Sequence, residues 1–199
     1  RFKRKEMIMI DKDQLKEIMP TASNLNIVKY HSYLLETMER FKINTKKRQC
    51  AYLANIAHES GCLRYARELA SGAAYDNRKD LGNTEYNAIT ISNASGTTPG
   101  RFYKGRGLIQ ITGYYNYLEL GKYFNQQFIY NPLLLENPKW AALSSGWFWE
   151  VNNLNEPAEL QKFDTVCDII NKDHKTKPVR DSNGDNDRLW YYERAWATL

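Results

Sequence analysis

The stretch Ala57-His58-Glu59-Ser60-Gly61 places one glutamate at the end of a segment that reads as a mostly apolar helix. Burial disfavours the charged form of such a carboxyl, and so does the negative end of a helix. A carboxylic acid that keeps its proton near neutral pH is what a glycosidase uses to protonate a leaving oxygen. Zinc chemistry of the HExxH type does not fit, because residue 62 is Cys where the second His would stand. Direct attack by water needs a second carboxylate about 6.5–9.5 Å away. Glu68, Asp76, Asp80 and Glu85 all follow, and spacing alone does not choose among them. A third element runs from Phe102 to Tyr117 and contains Gly105-Arg106-Gly107-Leu108-Ile109-Gln110-Ile111-Thr112-Gly113. Its glycines permit close backbone approach. Gln110, Thr112 and Asn116 offer neutral donors and acceptors, and Tyr103, Tyr115 and Tyr117 offer rings. Such a set suits an uncharged sugar better than a phosphate, and the phosphate-binding GxGxxG and GxxxxGK[ST] patterns are both absent.

Other chemistries find less support. Asp181 to Asp187 resembles half a calcium loop, but Asn186 and Tyr192 stand where that loop needs Gly and Glu. No metal and no cofactor is expected. Cys50, Cys62 and Cys167 form no CxxC pair, so three buried thiols from a reducing cytosol are expected. Lys and Arg number 28 against 23 Asp and Glu, a net +5. Residues 1–6 carry +3 of this, and the stretch 172–180 carries another +3, so the remainder is close to neutral. That distribution, with no recognition motif, argues against nucleic acid as a partner. No run of about 18 apolar residues exists, so no membrane insertion is expected. The apolar run 7–10 is too short for a secretory signal.

These groups must be held by helices. Asp11 opens a short one that Pro20 stops. Leu25–Phe41 reads as a second, with Val28, Leu34, Leu35 and Met38 at helical spacing. Thr45 caps a third that runs to Glu59 or Ser60, with Gly61 just beyond its end. Residues 71–100 are rich in Gly, Ser, Asn and Thr and lack helical period, which predicts a long irregular segment. Phe102–Thr112 reads as an extended piece. Helices are expected at Tyr114–Phe124, Trp140–Glu150, Glu159–Asn171 and Asp187–Thr198. Trp147, Phe148 and Trp149 are consecutive on one helix, so at least one belongs to the core. His31 and His174 are expected at the surface. The class is mainly α, with residues 1–10 as a leader and 11–199 as a single domain.

Taken in order, AHES, GRGLIQITGYYNY, SSGWFWE, IIN and DRLWYYER resemble glycoside hydrolase family 19, which contains chitinases and phage endolysins. The resemblance runs from about Lys46 to Arg194. It implies a lysozyme-like, two-lobed helical domain with a cleft between the lobes and a small extended or β element around 101–112. It implies hydrolysis of β-1,4 links beside N-acetylated sugars with inversion. Glu59 falls on the family's acid, Asp76 on the base position with Glu68 in reserve, and Thr112 on a residue that helps hold the attacking water. The resemblance places Gln110, Tyr115, Asn116 and Asn171 on matching family positions as sugar contacts and Arg188 as the partner of cleft acids, and His58 and the Tyr103 ring are expected to join them at the sugar. Two departures stand out. Asp76 is one methylene shorter than the Glu of this branch, and Lys172-Asp173-His174 replaces the Gly-Gly usual after Asn171.

The leading expectation is an endolysin-like muramidase cleaving peptidoglycan, with the stretch 172–180 meeting the anionic wall. Chitinase is the alternative, and a non-catalytic glycan-binding protein on the same scaffold is a second. The expected partner is the polysaccharide. The protein would be a monomer, made in the cytoplasm, that reaches the periplasm or wall by holin release or secretion-system delivery, with an immunity protein on the latter route.

Overall fold

A computed structural model describes residues 10–171 and 185–199. The leader 1–6, the apolar run at 7–9, His174, the stretch 172–180 and most of the half calcium loop lie outside the described residues. The chain divides into two compact units, residues 1–64 with 146–199, and residues 65–145.

In the first unit, α1 (Lys12–Ile18) starts in a capping box. The Asp11 carboxylate accepts from the Gln14 backbone, and the Gln14 side chain accepts from the Asp11 backbone. Helix α2 (Asn24–Arg40) is capped by Ser23 and buries Ile27, Tyr30, Leu34, Thr37 and Met38. Val28 is 59% exposed, so the helix is turned by one residue from the face expected of it. Helix α3 (Lys46–Glu59), capped by Thr45, is buried without interruption from Gln49 to Ala57. A helix buried on every side is a central helix, and α3 packs on α8 (Asn155–Glu159), α9 (Phe163–Asn171) and α10 (Asp185–Thr198). Trp149 is core, its ring edge-on to Tyr52 and its Nε1–H donating to Asn155. It rides on α7 (Pro138–Val151). Gly146 on that helix has no room for a side chain, since a Cβ there would overlap the Phe41 ring. His31 is half-buried and bonded to the Ile10 carbonyl.

The second unit holds α4 (Tyr86–Ala94), α5 (Pro99–Phe102), α6 (Tyr114–Phe124) and 3-10 turns at 73–75, 79–81 and 132–136. Helix α4 corrects the expectation of an irregular 71–100. Its inner face is Ala88 and Ser92, too small to give an apolar period, while Tyr86 is 81% exposed. The extended piece at 101–112 reduces to two isolated bridges, Arg67 with Arg106 and Arg106 with Ile111. Arg106 is the hub of this unit. Its buried guanidinium pairs with Glu136 and donates to the Phe102 carbonyl and the Tyr117 hydroxyl. No helix among the described residues is long and apolar enough to cross a membrane.

Candidate active site

Glu59 ends α3, where a tight left-handed turn stops the helix. Gly61, Cys62 and Leu63 all have positive φ, at 54°, 55° and 65°. The two non-glycine residues pay about 1–2 kcal/mol each for that conformation. Both are buried, and the Cys62 thiol bonds the Tyr191 hydroxyl at 3.1 Å, which helps offset the strain. The Glu59 side chain is 19% exposed and is bonded by Arg188, which is 0% exposed. The Arg188 Nη2 donates to Glu59 Oε1 and, at 2.9 Å, to Asn171 Oδ1, while Nη1 donates to Asn55 Oδ1. Beside them, His58 Nδ1 meets Asp187 Oδ2 at 2.7 Å. Two consecutive residues of α10 thus grip two consecutive residues of α3. Composition and spacing give Glu59 only desolvation and a helix end; Arg188, which the family resemblance pairs with cleft acids, is the buried cation that bonds it. Asn171, expected as a sugar contact, is part of this network.

The second unit carries the remaining candidates. The Glu68 carboxylate is held by two neutral donors, the Tyr75 hydroxyl at 3.0 Å and the Gly105 N–H at 3.1 Å. Glu68 also donates its own N–H to the Gly105 carbonyl, which ties both ends of the residue to one glycine. Burial, and then the bond to Glu68, push the Tyr75 phenol up from its ordinary value, so it stays a donor. Asp76 is used otherwise. Its Oδ1 accepts from the Gly100 N–H at 2.8 Å and so serves the first turn of α5.

Gln110 donates to the Gly107 carbonyl, Thr112 to the Gln110 carbonyl and Asn116 to the Thr112 carbonyl, a chain of neutral polar groups on half-buried side chains. The Gln110 Oε1 is buried with no bonded partner among the described residues. Tyr115 is 41% exposed, and its hydroxyl donates to Glu85 at 2.5 Å. One ring face lies flat on Gly82, where a Cβ would come within 2.6 Å of the ring. Tyr103 corrects the reading. It is 0% exposed, its hydroxyl is satisfied by the Ile129 carbonyl and its ring packs edge-on to Tyr114 and Tyr117, so it offers a sugar no surface.

Asn55, Asp187 and Gly82 were missed, and Glu85, read as a candidate second carboxylate, instead accepts from the Tyr115 hydroxyl. For Asn55 a signal existed, since it lies four residues before Glu59 and therefore on the same helix face. No group of three or more His, Cys, Asp or Glu able to hold a metal occurs among the described residues.

Comparison with known proteins places this arrangement. The family model "Chitinase class I" of glycoside hydrolase family 19 matches residues 37–166. An endochitinase of Arabidopsis thaliana is 34% identical over 119 residues, 59% of this chain and 37% of that protein. Chitinase 5 of rice, Oryza sativa subsp. japonica, is 29% identical over 71% of this chain and 45% of its own length. The chain therefore spans less than half the length of these curated relatives. Chitinase C from Streptomyces griseus superposes with a TM-score of 0.74 at 20% identity, over 96% of this chain and 76% of its own, which shows a shared fold. A helical scaffold with that neighbour, and a family match that runs through Glu59, Glu68 and the GRGLIQITGYYNY stretch, lead to one assignment: the chain belongs to glycoside hydrolase family 19.

Proposed function

We propose that this protein hydrolyses β-1,4 links in polymers of N-acetylglucosamine by acid/base catalysis with inversion. The observation that carries the reading is the Glu59 carboxyl at the end of α3, bonded through one oxygen by a buried guanidinium. Glu59 donates its proton to the leaving glycosidic oxygen, and Arg188 stabilises the carboxylate that remains. Glu68 supplies the base. Its two oxygens are oriented by neutral donors, and with no cation paired to it among the described residues its negative charge is available to polarise a water. Asp76 is the alternative base, but its carboxylate is engaged at α5. Gln110, Thr112, Tyr115 and Asn116 hold the sugar and the water. Chitin is favoured as the polymer because the relatives named above are chitinases.

A second reading, cleavage of peptidoglycan between N-acetylmuramic acid and N-acetylglucosamine, draws on Cys50, Cys62 and Cys167. All three are buried and none is joined in a disulfide, which suits a chain folded in a reducing compartment. On that reading the protein reaches the wall by holin release or secretion-system delivery.

One experiment separates these. Purified protein is incubated with chitin oligomers and with sacculi, and new reducing ends are identified by mass spectrometry, with the first-formed anomer read by NMR. The proposal expects soluble chitin oligomers of inverted configuration and a loss of about 10²–10⁴-fold in Glu59→Gln. Muropeptide release with intact chitin would establish the second reading instead. Binding without cleavage by both forms would make the protein a glycan binder.

A further inference from the structure

The buried amide of Asn55 has no place in the acid/base scheme, yet it touches the group that touches Glu59. Its side chain is 0% exposed. Nδ2 donates to the Ala51 carbonyl at 2.8 Å, one turn back on α3, and Oδ1 accepts from Arg188 Nη1. These two partners fix which way the amide points. Reversed, its NH2 would face a guanidinium that only donates, and its oxygen would face a carbonyl that only accepts.

The guanidinium is planar, so fixing one terminal nitrogen fixes the other. Nη2 then forks between Glu59 Oε1 and Asn171 Oδ1. Nε is buried without a bonded partner among the described residues, so Nη1 and Nη2 alone set the plane. Without the Asn55 oxygen, Nη1 would be a buried charged donor stripped of its one partner among the described residues. The plane would turn to satisfy it, and Nη2 would leave Glu59.

Charge matters as much as shape. An aspartate at 55 would still accept from Nη1, but it would face the Ala51 carbonyl with a second acceptor. It would also share the cation, whose one carboxylate partner among the described residues is Glu59, since Asn171 is neutral and the nearby His58 and Asp187 pair with each other. Position 55 therefore calls for a neutral group that accepts on one side and donates on the other.

We infer that Asn55 is a positioning residue for the proposed acid: it orients the Arg188 guanidinium on Glu59 and keeps its charge undivided. The inference rests on the reading of Glu59 as the acid. The test uses Asn55→Asp, which is isosteric, and Asn55→Leu, which removes both bonds. Turnover of chitin oligomers and the 13C titration of the Glu59 carboxyl are measured in each folded variant. In Asn55→Asp, kcat falls about 10- to 100-fold with KM within about twofold, and the Glu59 midpoint moves to higher pH because a second carboxylate now shares the guanidinium. Asn55→Leu lowers kcat at least as far; if it fails to fold, Asn55→Asp decides alone. An unmoved Glu59 midpoint in Asn55→Asp, or a kcat within twofold of the parent, overturns the inference. Should the parent chain cut no glycan, the catalytic reading fails, and the titration still decides whether Asn55 governs the Arg188–Glu59 contact.

Discussion

Glu59 and Glu68 are held in opposite ways. Glu59 sits at the end of a helix buried from Gln49 to Ala57, against a guanidinium that solvent does not reach. Glu68 sits on an irregular segment, half-buried, with a phenol and a backbone amide as partners. The first arrangement is ionic and built from three helices. The second is neutral and built largely from backbone. A buried ion pair stabilises a charge that appears as a proton leaves, whereas neutral donors fix direction and leave a charge free to act. Two carboxylates in different surroundings are what an acid and a base require.

The largest break in this contrast is Arg188→Leu. It strands Glu59, Asn55 and Asn171 together, and breaking a buried pair costs about 3–5 kcal/mol. Urea unfolding should show that loss, and chitin hydrolysis should fall with it. If stability is unchanged, the first half of the comparison is wrong. Next in size is Glu68→Gln, expected to lower kcat roughly 10²-fold with the fold intact. Its companion Asp76→Asn keeps an oxygen for the Gly100 N–H and should retain near-parental activity. If the two results are exchanged, Asp76 is the base and the neutral cradle of Glu68 is structural. Smallest is Gly82→Ala, which forces a Cβ into the Tyr115 ring at φ 72°. A cost of about 1–2 kcal/mol and a severalfold rise in KM with kcat held would mark Tyr115 as a sugar platform.

Much of the scaffold was legible because its signals are local. Asp11 and Thr45 cap the helices they were expected to cap, and Tyr114–Phe124 spans the residues its period predicts. Family membership and the mainly helical class were legible as well, since motif order survives sequence drift. Other features depend on tertiary packing. Helix α4 was hidden because its buried residues are small. Tyr103 looked like a sugar plate because the sequence does not show which tyrosines the Arg106 hub encloses. The link from Arg188 to Asn55 joins residues 133 positions apart, and no local pattern reports it.

That distance has a consequence for how the protein comes to life. Glu59 meets its cation across 129 residues, whereas Gly61, Cys62 and Leu63 shape the turn beside it from within. Long-range closures are slow relative to local helix formation. During refolding from denaturant, helical signal should therefore recover ahead of glycan cleavage. Chains that have already formed α3 would stay inactive until α10 docks. Simultaneous recovery of the two signals would show that the last helix joins early. A ribosome making this chain would hold an unarmed acid through the 129 positions that separate Glu59 from Arg188.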